Sequence, residues 1–365
     1  MIPQPSPLAA SFVAPPHYDN VELLGEGGMG RVLQATDTVL ERKVAIKTLH
    51  ERFLDDPEIS GRFALEARCT GQLDHPGIPP VYEMGSDGEG RPYFAMKLIK
   101  GDTLGQILTR LRAGDEATHQ IFSFEHRLTM AAALCDALAY AHSLNWLHRD
   151  IKPDNIMVGP YGEVYLTDWG IARQFSSPEV TPSPVDPFGD EDISDRLTRP
   201  ESCIGTPGYC PPEQIISGAV DARTDVFALG VTLFELFTLT PAFGGKTLNA
   251  VLLATLNNQV PMADGLSSPV QGRVPREVAY VLQKTLEKDP TDRYQTVLEL
   301  RKAVQLVIDG QFPVQCLCTG TKRSLGALAE FVDNYRGLAA SLLVFWFIAP
   351  VLLAFLMWYV LPRGV

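Results

Sequence analysis

His148-Arg149-Asp150-Ile151-Lys152-Pro153-Asp154-Asn155 is a dense run of charged and polar residues, and Asp168-Trp169-Gly170 follows thirteen residues after its end. A carboxylate such as that of Asp150 can orient a hydroxyl group and accept its proton. The ammonium of Lys152 places positive charge where a transferred phosphoryl group would sit. A solvated polar loop is the plain alternative, but the matching residues at this spacing favour phosphoryl transfer.

Two oxygen ligands accompany this run. The neutral amide oxygen of Asn155 and the carboxylate of Asp168 are hard donors. Ligands of this kind suit Mg²⁺, which keeps some of its waters when it binds. The sequence therefore predicts that Asn155 and Asp168 are ligands of a bound Mg²⁺ ion.

The two motifs resemble the catalytic loop and metal-binding motif of eukaryotic-like serine/threonine protein kinases, including the bacterial ones. The resemblance implies an α+β fold with two lobes, a small β-rich N-lobe and a large α-helical C-lobe. It implies ATP with Mg²⁺ or Mn²⁺ as cofactors and proteins with Ser/Thr acceptors as substrates. It assigns catalysis to Asp150 and Lys152, and the metal to Asn155 and Asp168.

A glycine-rich loop, Gly25-Glu26-Gly27-Gly28-Met29-Gly30, lies between two apolar stretches near the N-terminus. A Walker P-loop would continue with Lys and Ser/Thr, but Arg31 and Val32 follow here. A dinucleotide-binding loop would open a helix, whereas the flanking residues favour continuing strands. A kinase-type hairpin remains, whose glycines allow the backbone to approach ATP phosphates closely.

The resemblance extends this loop into a nucleotide site with Lys47 on the Val44-Ala45-Ile46-Lys47 strand. It implies a set of cofactor-binding residues along the N-lobe: Leu24, Gly25, Glu26, Gly27, Gly28, Met29, Gly30, Val32, Ala45, Lys47, Met96 and Leu98. It also makes Lys47 a catalytic residue that contacts the α- and β-phosphates. Glu66, on a predicted helix over 58–73, matches the family's partner for that lysine. Met96 guards the adenine pocket, and the hinge begins at Lys97 where the family usually has an acidic residue.

The C-terminal half is predicted to be helical. Leu128, Ala132, Leu134, Leu138 and Ala141 recur at helical spacing and predict a core helix over Phe124–Ser143. On this helix and just before it, His119, His126 and His142 are expected to be surface or packing residues rather than ligands. Further helices are predicted over 226–238, 248–256, 275–286 and 296–308.

The run from Gly205 to Glu213 resembles the end of the family's activation segment, here 168–213. The resemblance pairs Glu213 with Arg293 as a structural contact. It also implies that Asp225 accepts hydrogen bonds from the backbone of the catalytic loop.

Arg149 precedes the catalytic aspartate, and an arginine there is usually held by a phosphorylated activation-loop residue. Thr198 is the first candidate and Ser202 the second, at the end of an acidic stretch rich in Pro, Ser and Thr. We expect autophosphorylation there, which two copies of the chain could carry out on each other as a homodimer. If neither residue is modified, Arg149 is instead a structural residue.

Composition narrows the function classes. The chain has 365 residues, 45% of them hydrophobic, and a net charge of −12, which argues against a general nucleic-acid surface. Its six cysteines form no regular framework, so free thiols in a reducing compartment are expected.

The C-terminal region is predicted to cross a membrane. No charged residue lies between Leu338 and Leu361, and this length can span a bilayer as one helix, kinked at Pro350. A buried core helix is the alternative. The predicted organisation is a disordered tail (1–17), a kinase domain (18–309, lobes meeting near 98–99), a juxtamembrane linker (310–337), the membrane helix (338–361) and a short tail (362–365). The kinase domain would lie in the cytoplasm of a single-pass cell-membrane protein.

Three function classes stay open on the sequence. The first is an active membrane-anchored serine/threonine protein kinase, which Lys152 favours over a tyrosine kinase. The second is a membrane-tethered pseudokinase, an ATP-binding scaffold without catalysis; its usual sign is loss of phosphate or metal ligands, and all are present here. The third is a small-molecule kinase, against which Thr206 and Glu213 argue.

Overall fold

The computed structural model describes residues 12–174, 205–216, 220–266 and 268–313, with a few isolated positions beyond. The chain divides into two compact units, Met1–Gln305 and Leu306–Val365. Within the described residues, no helix has the length and apolar character needed to cross a bilayer. Nearly all of the predicted membrane segment, 338–361, lies outside them.

The N-terminal part of the first unit is a five-stranded antiparallel sheet in the order β1-β2-β3-β5-β4. Its strands are β1 (Tyr18–Glu26), β2 (Gly30–Asp37), β3 (Arg42–Leu49), β4 (Val81–Ser86) and β5 (Pro92–Lys97). The predicted strands on either side of the glycine-rich loop are confirmed as β1, β2 and β3. Val44, Ala45 and Ile46 of β3 are buried, which fixes the strand that carries Lys47.

Helix α1 (Pro57–Gln72) packs on this sheet, within one residue of its predicted bounds. Asp56 caps its N-terminus by accepting hydrogen bonds from the backbone of Glu58 and Ile59. Phe63 and Ala67 bury one face of the helix against Leu49 and Phe94 of the sheet. That packing sets the rotation of the helix, and therefore the direction in which Glu66 points.

The rest of the first unit is mostly helical. Its helices are α2 (Leu104–Arg112), α3 (Glu116–Ile121), α4 (Phe124–Ser143), α5 (Pro212–Ile215), α6 (Ala222–Thr238), α7 (Leu248–Asn257), α8 (Arg276–Thr285) and α9 (Val297–Ile308), whose last residues belong to the second unit. The predicted core helix α4 is confirmed with the same bounds, and the four later predictions match α6 to α9 closely. Helices α2 and α3 were not predicted, although Leu104, Ile107, Leu108 and Leu111 of α2 have helical spacing and are buried.

Two small sheets hold the loop between α4 and the activation segment. Strands β6 (Asp102–Thr103), β8 (Ile156–Val158) and β9 (Val164–Leu166) form one, and β7 (Trp146–Leu147) pairs with β10 (Arg173–Gln174) in the other. Strands β8 and β9 form an antiparallel hairpin directly after the catalytic loop. The run from His148 to Asn155 therefore connects β7 to β8, with both ends fixed by strand pairing.

Candidate active site

The backbone of the catalytic loop is held by a buried carboxylate on α6. The Asp225 oxygens accept hydrogen bonds from the backbone N–H of His148 and of Arg149, both at 2.8 Å. Arg149 adopts a left-handed backbone with φ of 69°, which costs a non-glycine residue free energy. These two hydrogen bonds offset that strain, and the predicted role of Asp225 is confirmed.

His142 is a contributor that the sequence analysis missed, since it was expected only at the surface or in packing. Its Nε2 lies 2.8 Å from Oδ2 of Asp225. Burial opposes ionisation of Asp225, but His142, His148 and the backbone hydrogen bond from Arg149 together outweigh burial, so the pKa of this carboxyl is lowered. The aspartate therefore stays charged inside the protein and continues to accept the two backbone hydrogen bonds of the catalytic loop.

The ring of His148 fixes the other side of the loop. Its Nε2 lies 3.0 Å from the carbonyl oxygen of Thr167, and its Nδ1 accepts a hydrogen bond from the backbone N–H of Asp150 at 3.3 Å. Burial lowers the pKa of His148, so the neutral ring with a proton on Nε2 satisfies both partners. The ring also packs against Trp169, with centroids 4.5 Å apart.

The carboxylate of Asp150 is surrounded by four donors. Thr206 donates to Oδ1 through its hydroxyl at 2.7 Å and its backbone N–H at 2.9 Å. Lys152 donates to Oδ2 at 2.8 Å, and the Asn155 amide donates to the same oxygen at 3.1 Å. Lys152 also donates to the Thr206 hydroxyl at 2.6 Å. The structure thus brings the predicted base, the predicted lysine and a predicted metal ligand together, and adds Thr206.

Gly205 makes the approach of Thr206 possible. Its φ is +113°, and a Cβ atom there would lie 3.0 Å from the Gln214 side chain and 3.1 Å from the Arg149 carbonyl oxygen. The glycine before the threonine is therefore a steric requirement of the site. The Gly-Thr pair itself was the available sequence signal, but its contact with Asp150 was not deduced from it.

Lys47 lies between two carboxylates. Its Nζ is 2.5 Å from Oε1 of Glu66 and 3.2 Å from Oδ1 of Asp168. Burial opposes the charged form of the lysine, but the two carboxylates outweigh burial, so the pKa of Lys47 is raised. The predicted contact with Glu66 is present, and it joins the sheet, α1 and the start of the activation segment.

Asp168 has a strained backbone and an accessible side chain. Its φ is 62°, and its side chain remains 42% exposed. Partial desolvation opposes its ionisation, but Lys47, His148 and Lys152 together outweigh that cost, so the pKa of the Asp168 carboxyl is lowered. Trp169 beside it is buried and donates its indole N–H to the Leu166 carbonyl at 3.3 Å. The larger ring is thus accommodated where the family usually has Phe.

Asn155 and Asp168 fit a divalent cation by the chemistry of their donors. The Asn155 amide nitrogen donates to the backbone oxygen of Asp150 at 2.9 Å. The amide oxygen therefore points away from Asp150, and its lone pairs can bind a cation. Asp168, two residues after β9, contributes an exposed carboxylate. Mg²⁺ usually keeps several waters and binds through one or two carboxylates together with substrate phosphates. Among the described residues, no group of three or more His, Cys, Asp and Glu side chains could hold a metal.

The predicted nucleotide-binding residues line the sheet side of the cleft. Gly30 pairs with Leu49, and a Cβ atom at Gly30 would lie 2.1 Å from the Thr48 carbonyl oxygen, so only glycine fits there. The others follow one another along the sheet: Leu24, Gly25 and Glu26 at the end of β1, Val32 on β2, Ala45 on β3 opposite Met96 on β5, and Leu98 just beyond β5.

The hinge begins with a contact between the two lobes. Lys97 donates a hydrogen bond to the Tyr165 hydroxyl on β9 at 2.6 Å, and its Nζ lies 4.8 Å from the centre of that ring. The hydrogen bond raises the pKa of Lys97. The unusual lysine at this position therefore joins the N-lobe sheet to the hairpin that carries Asn155 and Asp168.

A buried ion pair between Glu213 and Arg293 holds the end of the activation segment. The guanidinium of Arg293 donates to both oxygens of Glu213, at 2.8 and 2.9 Å, which confirms the predicted pair. Thr198 and Ser202, the predicted phosphorylation sites, lie outside the described residues, and their modification stays a prediction.

Comparison with known proteins agrees with this geometry. The model of the protein kinase domain matches residues 18–305. The chain is 34% identical over 308 residues to the serine/threonine-protein kinase PknD of Protochlamydia amoebophila, covering 82% of this chain and 31% of that protein. It is 34% identical over 315 residues to a probable serine/threonine-protein kinase of Streptomyces coelicolor, covering 86% and 42%. The chain thus spans well under half the length of these relatives. The match over residues 18–305 shows that the chain belongs to the protein kinase domain family.

Proposed function

We propose that this chain is an active serine/threonine protein kinase, which transfers the γ-phosphate of ATP to Ser and Thr hydroxyls of proteins. The arrangement of Lys152, Thr206 and Asp150 carries the proposal. Lys152 of the catalytic loop and Thr206 of the activation segment both donate to Asp150, and Lys152 also donates to the Thr206 hydroxyl at 2.6 Å. The names of the similar proteins, which are serine/threonine kinases, support the same reading.

In the proposed mechanism, Asp150 accepts a hydrogen bond from the attacking hydroxyl and takes its proton as the new bond to the γ-phosphorus forms. The bond between the γ-phosphorus and the bridging oxygen of ATP breaks in the same transfer, and ADP leaves. Thr206 and Asn155 keep the carboxylate from rotating, and this alignment with the acceptor accounts for much of the rate. Lys152 balances negative charge that builds up on the transferred group. A bound magnesium ion supplies charge neutralisation on the phosphates, and Asn155 and Asp168 would hold it.

Lys47 completes the nucleotide side. Its raised pKa keeps the ammonium charged at neutral pH, and Glu66 fixes its direction toward the cleft. The same ammonium also donates a hydrogen bond to Asp168, a predicted metal ligand. The cation and the lysine would therefore both neutralise charge on the phosphates of ATP. Lys47 is hydrogen-bonded to Glu66 and Asp168, and Asp150 is hydrogen-bonded to Asn155, so the groups that a pseudokinase typically lacks are all in place.

The acceptor class can be tested directly. The full-length protein, in detergent with ATP and Mg²⁺, is expected to phosphorylate matched peptides that carry Ser or Thr, and not the matched Tyr peptide. Transfer of radiolabelled phosphate is the measurement, with the Asp150→Asn variant as the inactive control. ATP binding without transfer to any peptide or protein would favour the scaffold function instead, and transfer to Tyr alone would contradict the acceptor class.

We further propose that residues 338–361 anchor the kinase in a membrane. The support is their uncharged sequence over a bilayer-spanning length, with Lys322, Arg323 and Arg336 on the preceding side. The full-length protein is expected in the membrane fraction after alkaline carbonate extraction, with residues 18–305 accessible to protease from the cytoplasmic side. A variant with Leu352→Arg and Leu353→Arg should be released, since charges at mid-bilayer are costly. Complete extraction of the unaltered protein by carbonate would rule out a spanning helix.

A further inference from the structure

The carbonyl oxygens of the glycine-rich loop are bound from outside the nucleotide site. The His50 ring Nε2 lies 2.9 Å from the Gly27 oxygen, and the Arg52 guanidinium donates to the Gly28 oxygen at 3.2 Å. The backbone N–H of His50 donates to the Met29 oxygen at 3.0 Å. Three consecutive carbonyls of the loop therefore meet the short segment 50–52 that follows β3. We infer that His50 and Arg52 are positioning residues that hold the loop ready for the phosphates of ATP.

The physical link is the geometry of the peptide bond. In a planar trans peptide, the C=O of one residue and the N–H of the next point in opposite directions. Holding the Gly27 and Gly28 oxygens toward His50 and Arg52 turns the N–H groups of Gly28 and Met29 the other way. Successive N–H groups exposed on one side of a turn form a concavity that binds anions. A hydrogen bond from Gly27 N–H to the Gly30 oxygen, at 2.8 Å, closes the turn itself.

The two side chains are themselves held in place. The Arg52 guanidinium lies 4.7 Å from the centre of the Phe53 ring, and the His50 ring centroid lies 6.4 Å from the same ring. The His50 Nδ1 is 3.6 Å from Oε1 of Glu26, at the start of the loop. Because Nε2 faces a carbonyl, the hydrogen bond requires the proton on that nitrogen. Lys47 lies on β3 and His50 directly follows the end of that strand, so the glycine-rich loop and the lysine are supported by the same strand.

The inner side of the loop tip is fixed as well. The Met29 side chain packs against the apolar cluster that includes Leu49, Phe63 and Phe94. A Cβ atom placed on Gly170 would lie 3.5 Å from the Met29 methyl group, so the tip reaches the start of the activation segment. With its side chain inside and its carbonyls bound outside, the loop retains little freedom to lose when a nucleotide binds, which favours affinity.

This inference rests on the proposed function, in which the loop covers ATP phosphates, and the test separates the two. Calorimetric titration of the full-length protein with ATP-Mg²⁺ and with adenosine compares a ligand that reaches the loop with one that does not. His50→Ala and Arg52→Ala are each expected to weaken ATP binding about 3- to 10-fold, the loss of a single hydrogen bond and its ordering effect. Adenosine binding should stay unchanged, and the KM for ATP should rise without a change in the KM for a peptide substrate.

The control variants distinguish an effect on the glycine-rich loop from a general loss of structure. Arg62→Ala removes a guanidinium that pairs with Glu58 on the surface of α1, at 2.5 Å, and should change neither ligand's affinity. His50→Gln keeps an N–H donor and should recover most of the ATP affinity, as Arg52→Lys should in part. Equal losses for ATP and adenosine, no loss for either, or tighter ATP binding would each overturn the inference; the last would mean that the segment holds the loop closed against nucleotide. If the unaltered protein binds adenosine as tightly as ATP, the proposed loop function itself is wrong.

Discussion

Replacing Asp150 with Asn is expected to lower phosphoryl transfer by about 10²- to 10⁴-fold, the usual effect of removing a general base. The substitution keeps the size and shape of the side chain. It removes the negative charge that Lys152 contacts at 2.8 Å and the oxygen that accepts the proton of the attacking hydroxyl. Only the oxygen of the new amide accepts hydrogen bonds. Either Thr206, which donates to Oδ1, or Lys152 and Asn155, which donate to Oδ2, therefore lose their acceptor.

The same experiment distinguishes catalysis from binding. Asp150→Asn should keep the melting temperature and the affinity for ATP-Mg²⁺. Among the residues predicted to bind the nucleotide or the metal, Asp150 contacts only Asn155. Asp168→Asn is the matched variant at the other carboxylate of the site: it should lose transfer and also weaken ATP binding in the presence of Mg²⁺. Steady-state rates and calorimetric titration are the measurements. An Asp150→Asn protein with full activity would remove Asp150 from the catalytic assignment.

Most of the elements and the main site could be predicted from the sequence because their signals are local. The periodic leucines and alanines of α4 predict its bounds, and the resemblance to the kinase family pairs Lys47 with Glu66 and Glu213 with Arg293. Each of these predictions depends on a pattern of short range or on a resemblance that supplies the long-range partner.

The contacts that escaped prediction join residues distant in sequence and carry no motif of their own. His142 reaches Asp225 across 83 residues, and its helical position alone is equally typical of a packing residue. Lys97 departs from the usual hinge residue, and its partner Tyr165 is 68 residues away. His50 and Arg52 act on carbonyl groups, which have no sequence signature at all. Such roles are set by three-dimensional packing and become visible only in the structure.

Replacing Glu213 with Gln is expected to destabilise the folded protein by about 3–5 kcal/mol, because it leaves a charged guanidinium buried without its carboxylate. The Arg293 side chain is 0% exposed, and its two terminal nitrogens lie 2.8 and 2.9 Å from the Glu213 oxygens. Because water cannot reach the guanidinium, its unpaired positive charge is not solvated. For a domain of this size, such a loss corresponds to a melting temperature lower by roughly 6–15 °C, measured by differential scanning calorimetry.

Two further variants show why the loss is tied to the buried charge. Glu58→Gln removes the partner of Arg62 from an exposed pair on α1, and surface pairs contribute less than about 1 kcal/mol. A double variant with Glu213→Met and Arg293→Met removes both charges, so it should be more stable than Glu213→Gln. It should still fall short of the unaltered protein, because Arg293 also donates to the backbone oxygens of Glu287 and Lys288, at 2.7 and 2.9 Å. If Glu213→Gln and Glu58→Gln melt within about 2 °C of each other, the buried pair contributes no more than a surface one and the activation segment is held by other contacts.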